Sequence, residues 1–375
     1  MLQSELAARG IPLACCLEPE QLASMRASEG QLMALTLSQV GQSVLLEPAG
    51  SCRRTAPGQG TSLSCPKLRT PSWMGSYAIP AEAFSADRVG AKSMNLTQLK
   101  GQLPDWIHLP ASAALPFGTF EAVLEDNLNA GIADAMQALH QDLQKDGQGL
   151  SDALQDVRRA VLQLQAPLQL LPQLQRAFRD AGLPELQEGH WGPAWQAIKA
   201  VWASQWNNRA VVSMRRAGLD HASLRMAVLC QATLPAQHAF VSHTANPLSG
   251  DANEIYVEVV QGLGETLVGN HPGSAFSFVA RKDCLTATPG DEQNTSVPTL
   301  LESGITITGF PSKSAAMRTK SAGSNLIFRS DSNGEDLEGY AGAGLFDSVQ
   351  MSAPELVAAD YSTDPLLEDE EGSTR

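Results

Sequence analysis

The chain has 375 residues, 40 acidic and 26 basic, and its formal net charge of −14 excludes a general nucleic-acid binder, which needs basic groups to neutralise many phosphates. Its 43% hydrophobic content is that of a globular protein with a buried core, in a length that accommodates about two domains. No apolar run reaches the roughly 18 residues of a membrane span, and with Glu5, Glu18, Glu20 and Glu29 the first thirty residues are not expected to be a basic, acid-poor leader or transit peptide.

The first block, residues 1–48, reads as a small α/β fragment. Ile11 to Leu17 predicts a short buried strand, Leu22 to Leu37 has helical spacing, and Ser43 to Leu46 predicts a second strand. Residues 49–75 read as a linker, because Gly50 to Ser62 is rich in Gly, Ser and Thr and offers no periodic apolar face. The cysteines at 15, 16, 52, 65, 230 and 284 show no CxxC spacing and read as reduced thiols.

From Ser76 onward helices and strands alternate. Phe120 to Asp146 and Leu150 to Ala181 carry apolar residues every three or four positions and predict amphipathic helices, and Pro193 to Asn208 continues helical. Short apolar runs at 227–230, 254–260, 274–280 and 326–328 predict strands. Cys284 to Gly323 is polar, shows no clear element, and is expected to be a surface insertion or a disordered loop. The acids Glu368, Asp369, Glu370 and Glu371 make 368–375 a solvated acidic tail.

The chemistry concentrates in Phe328-Arg-Ser-Asp-Ser-Asn-Gly-Glu-Asp-Leu-Glu-Gly-Tyr-Ala-Gly-Ala-Gly-Leu-Phe-Asp-Ser348. An apolar strand delivers Arg329, whose guanidinium fork suits phosphate oxygens. Asp331, Glu335 and Asp336 are hard oxygen groups of the kind that hold Mg²⁺. Gly339, Gly342 and Gly344 let backbone approach a polyphosphate closely and aim N–H groups at it.

This string resembles the RSSxxxEDLxxxSFAGxxxT motif of the nucleotide-binding domain in phosphoenolpyruvate synthases and pyruvate, phosphate dikinases. In its full wording it is similar to the α-glucan, water dikinases. Val89-Gly-Ala-Lys-Ser-Met-Asn-Leu96 resembles the same domain's VGGKxxNL opening. Ala197 to Ala210 resembles its VWASxWNxRA helix, and Ala227 to Gln231 its VxVQxM strand. His243 to Gly250 and Glu254 to Gly269 match the next two elements, with His243 read as a structural histidine.

The resemblance implies an α+β fold, with an ATP-grasp-like domain over 76–367 preceded by part of a swivelling phosphohistidine-type β/α domain. It implies ATP as the nucleotide, Mg²⁺ as its ion and starch-type α-glucan as acceptor, in a chloroplast. By the same resemblance Lys92, Arg215, Gln231, Arg329, Ser330, Gly342 and Gly344 are the ATP-site candidates, and Asp331, Glu335 and Asp336 the metal candidates. A strand edge at Gln231 is expected to pair with adenine. Ala8 to Ala14 resembles the tail that follows the family's phosphohistidine, yet Gln3 stands near the histidine's place and the first histidine is His108. The family's terminal D-I-E…Q-T-R-P strands have no counterpart after Leu366 either. Two alternatives stay open: an inactive ATP-binding or regulatory protein, and a pyruvate- or phosphoenolpyruvate-type dikinase domain.

Overall fold

The computed structural model describes residues 33–37, 44–48, 68–143, 150–268, 275–285, 304–311, 315–318, 325–335, 337, 340, 342, 344–352 and 355–358. The chain divides into two compact units, one of residues 1–64 with 245–252 and the other of 65–244 with 253–375.

In the first unit β1 (Met33–Leu37) pairs antiparallel with β2 (Val44–Pro48). The helical spacing predicted for Leu22 to Leu37 is therefore corrected over its last turn, where Met-Ala-Leu-Thr-Leu extends and exchanges ladder hydrogen bonds with its neighbour. A run this short satisfies a strand or a helix equally well, and pairing decides. The strand predicted at Ile11 to Leu17 lies outside the described residues.

The second unit opens with β3 (Ile79–Pro80), α1 (Ala91–Leu99) and β4 (Ser112–Leu115). The helix predicted from Phe120 to Asp146 is two, α2 (Thr119–Leu124) and α3 (Ala130–Leu143). Between them Asp126 accepts from the Leu128 N–H at 3.0 Å and caps a short 3₁₀ turn. The next predicted helix also breaks, into α4 (Leu150–Leu162) and α5 (Leu170–Ala181). Pro167 lies in the break; it has no N–H to give and disfavours helix at the residue before it. Then come α6 (Trp191–Ala203) and α7 (Asn208–Arg216).

Strands follow: β5 (Met226–Ala232), β6 (His238–His243) and β7 (Glu254–Gln261), then the short α8 (Glu265–Val268), β8 (Phe276–Arg281) and the short α9 (Lys282–Leu285). β9 (Ile305–Gly309) and β10 (Ala315–Arg318) fall inside the polar stretch expected to lack elements, which corrects that expectation. β11 (Leu326–Ser332), β12 (Ser348–Gln350) and β13 (Glu355–Ala358) complete the order.

The strands build an antiparallel five-stranded sheet ordered β12-β11-β5-β4-β3, a four-stranded sheet β6-β7-β8-β9, and the pair β10-β13. β5 is central in the first sheet and buried on both faces, so it reads as a continuous apolar run. Met226, Val228, Cys230, Leu326 and Phe328 join the large core of α4, α5, α6 and α7, with Trp202, Phe178 and Leu174 at its centre. Leu229 and Ala114 belong to the other face, where Ile79, Phe84, Val89 and the apolar side of α1 cover them. The period of two thus sorts β11 as well: Phe328 faces the helical core, and Arg329 and Asp331 face α1. Among the described residues no helix is long and apolar enough to cross a membrane.

Candidate functional site

The face of the five-stranded sheet turned toward α1 gathers most of the polar residues singled out in the sequence. Asp331, near the end of β11, is fully buried. Its carboxylate accepts from the N–H of Gly90 at 2.9 Å, the N–H of Lys92 at 3.0 Å and the hydroxyl of Ser93 at 2.6 Å, with the Ser93 N–H further off at 3.4 Å. These are the unsatisfied donors of the first turn of α1, whose N-cap is Gly90 and therefore supplies no capping side chain of its own. A carboxylate reached from a distant strand takes the cap's place, and the helix dipole favours its negative charge.

Gly90 is required for that approach, since a Cβ there would stand 2.6 Å from the Asp331 carboxylate and 2.7 Å from its backbone. Burial pushes the Asp331 carboxyl up, while Ser93, Gly90 and the Lys92 charge pull it back.

Lys92 bridges to the same strand. Its ammonium donates to the Ser330 carbonyl at 2.7 Å, the Ser330 hydroxyl at 3.2 Å and Glu335 Oε2 at 2.6 Å. Ser330 in turn donates to Glu335 Oε1 at 3.1 Å. An ammonium has three donors, and all three are engaged. The Glu335 side chain is only 5% exposed, so burial pushes its carboxyl up against the pull of Lys92.

Gly342 closes on this turn from outside: a Cβ there would stand 2.8 Å from the Gly334 carbonyl and 3.0 Å from Glu335 Cα. Its missing side chain serves packing within the loop. Gly344 is exposed and has φ +75°, which only glycine adopts readily.

Arg329 lies one step along β11 on the face of Asp331. Its guanidinium donates to Gln231 Oε1 at 3.1 Å, and Gln231 donates to the Ser112 hydroxyl at 2.9 Å. This chain of bonds crosses three neighbouring strands and orients the guanidinium, which keeps further N–H groups. The expectation for Gln231 is corrected. Its backbone is paired with Ser112 on one side and Ile327 on the other, so no strand edge is open there. The side chain fixes Arg329 instead.

Arg215 is not brought to this group. It lines a cleft of about 640 Å³ with Phe120, Trp206, Leu224 and the ion pair Glu121–Arg225, whose walls include neither Lys92 nor Arg329. His243, at the end of β6, faces the Tyr256 ring at 6.1 Å.

Asp331 and Glu335 do not fit a magnesium site. The first is enclosed by helix donors and the second by Lys92 and Ser330, and among the described residues no three His, Cys, Asp or Glu side chains converge as ligands. Asp336 and Gly339 lie outside the described residues.

Sequence reasoning missed Gly90, Ser93 and Ser112 as parts of this assembly. Gly90 and Ser93 flank Lys92 in its motif, and an N-cap glycine without a capping side chain is a signal that an outside acceptor is needed. It also missed Asn333, which donates to the carbonyls of Arg69 and Ser223 at 2.7 and 2.9 Å and accepts from the Arg225 N–H at 2.8 Å.

Residues 185–297 match the family model described as the pyruvate phosphate dikinase AMP/ATP-binding domain. The chain is 45% identical over 361 residues to an α-glucan water dikinase of Solanum tuberosum, and 44% over 366 residues to one of Citrus reticulata, both named chloroplastic. Each alignment covers 95% of this chain and 23% of the relative. A chloroplastic α-glucan water dikinase 1 of Arabidopsis thaliana is 42% identical over 369 residues, 96% of this chain and 24% of the relative. A phosphoenolpyruvate synthase of Pyrococcus furiosus is 34% identical over only 71 residues, 19% of this chain and 9% of the relative. The chain therefore spans about a quarter of the length of the α-glucan water dikinases it resembles throughout.

Proposed function

We propose that this chain is the ATP-binding part of a dikinase that phosphorylates starch-type α-glucan using ATP and water, and that it acts in the chloroplast. In this reading residues 76–367 form the ATP-grasp-like domain and 1–48 belong to a swivelling phosphohistidine-type unit. The observation that carries the ATP site is Arg329, held by Gln231 and Ser112 on the sheet face beside α1. Phosphoryl transfer depends on positioning and charge neutralisation, and a guanidinium fixed by its neighbours supplies both. Lys92, Ser330 and Glu335 hold the turn after β11 and so set the entrance to the glycine-rich segment containing Gly342 and Gly344. Mg²⁺ is the ion that accompanies the triphosphate, and neither Asp331 nor Glu335 is assigned to it.

The test is a titration of labelled ATP with Arg329→Ala, once circular dichroism has verified its fold. Losing a charge-assisted contact to phosphate removes about 1.5–3 kcal/mol, so affinity should fall by roughly tenfold or more. Arg176→Ala, on the exposed side of α5, should bind as the parent does. Unchanged binding by Arg329→Ala would remove this residue from the nucleotide site.

A further inference from the structure

A second groove, of about 690 Å³, lies between the end of α4 and the start of α6. Its floor is aromatic: Trp191 stacks on Trp195 with ring centroids 5.6 Å apart and planes 24° from parallel. Trp195 is the inner ring, 7% exposed, and its indole N–H donates to the Leu164 carbonyl at 3.0 Å. Trp191 is the outer, half-buried ring.

The walls are polar. Gln163, Gln165 and Gln196 are exposed and line the groove together with the buried Lys199. Lys199 donates to the Leu162 carbonyl at 2.6 Å, at the carboxyl end of α4. Asn129, almost fully buried, clamps the loop by donating to the Gln165 carbonyl at 2.9 Å and accepting from the Gln165 N–H at 2.8 Å. The wall is therefore fixed before any ligand arrives.

We propose that this groove binds an uncharged saccharide, a short stretch of glucan chain seated on Trp191. A pyranose ring has an apolar C–H face and an edge of hydroxyls that both donate and accept. The aromatic plane matches the first, and glutamine amides, which carry donors and acceptors, match the second. The carbonyl end of α4 carries partial negative charge and opposes an anion, while Lys199 is already turned to that end. Among the described residues no carboxylate lines the groove to select a cation. The size lies within the roughly 300–1,000 Å³ usual for small-ligand sites.

The inference rests on the glucan reading above and deepens it by locating the acceptor chain on a surface distinct from the Arg329 group. Maltoheptaose is titrated calorimetrically into the 375-residue chain, with ATP titrated in parallel. The parent should bind the oligosaccharide. Trp191→Ala should weaken it by about tenfold, and the exposed Gln196→Ala several-fold, while both variants bind ATP as before. Trp191→Phe keeps an aromatic plane and should retain most of the affinity. If maltoheptaose binds the alanine variants as tightly as the parent, glucan is recognised elsewhere and the groove assignment fails. If the parent binds ATP but no maltoheptaose, the groove assignment fails while the nucleotide reading stands. Failure to bind ATP with maltoheptaose binding intact and sensitive to Trp191 would overturn the nucleotide reading alone.

Discussion

Asp331→Ala removes the carboxylate that closes the first turn of α1. The structure assigns it three well-formed bonds, from the N–H of Gly90, the N–H of Lys92 and the Ser93 hydroxyl, at 2.9, 3.0 and 2.6 Å. A buried donor left without an acceptor costs about 1–3 kcal/mol, so the three together amount to roughly 3–9 kcal/mol. Two effects reduce this sum: the Ser93 hydroxyl can rotate to another acceptor, and the chain no longer buries an anion. About 3–5 kcal/mol of destabilisation remains, among the larger losses seen for single substitutions. At roughly 2–4 °C per kcal/mol for a domain of this size, the melting temperature should fall by about 6–20 °C. Asp331→Asn keeps the shape but turns an amide NH₂ toward N–H donors, and should lose somewhat less. Thermal melting followed by circular dichroism, in magnesium-free buffer, measures both. A melting temperature within about 2 °C of the parent for Asp331→Ala would refute the capping role, since the expected shift is several times larger. A magnesium ligand would behave in the opposite way, leaving metal-free stability unmoved by Asp331→Asn and lowering only magnesium-dependent nucleotide binding.

Two further outcomes follow from the same packing. Gly90→Ala places a Cβ 2.6–2.7 Å from Asp331 and should destabilise by about 1–3 kcal/mol through overpacking, whereas Gly131→Ala in α3, which meets nothing within 4 Å, should leave the melt unchanged or raise it slightly. Glu121 is held above the usual carboxylate range by burial, against the pull of Arg225 at 3.2 Å. As pH falls, the folded chain therefore takes up this proton before the unfolded chain does. Its contribution to stability is fully present below the unfolded value and is lost as pH rises through the folded one. Glu121→Gln lacks that gain, so its melting temperature relative to the parent should decline as pH is lowered from about 7 toward 4. A difference that is flat with pH would show that burial does not dominate at this carboxyl.

Much of the second unit is legible in the residues themselves. The apolar runs 326–328 and Ala227–Cys230 announce strands, and the structure extends the first to Ser332, so that alternation sends Phe328 to the helical core and Arg329 and Asp331 to the opposite face. Helix breaks are harder to see. The apolar spacing carries across Pro167, so periodicity joins α4 and α5 although the backbone cannot continue. β4 escapes notice because Ser-Ala-Ala-Leu has no β-branched residue, and its burial comes from neighbours supplied by the rest of the sheet.

What the sequence alone determined is the inventory: an apolar strand over 326–328 that delivers Arg329, acids and glycines after it, and a lysine in the motif from Val89 to Leu96. What only the tertiary structure decided is the use of each charge. A carboxylate has the same composition and the same local neighbours whether it coordinates a cation or caps a helix. The donors that claim Asp331 lie about 240 positions away, at Gly90 and Lys92. Lys92 likewise finds Glu335 only through the pairing of α1 with β11. Gln231 loses its open edge because β4 and β11 flank β5 on both sides, an order that no local pattern encodes. Periodicity reports which face a side chain occupies, and long-range pairing determines what meets it there.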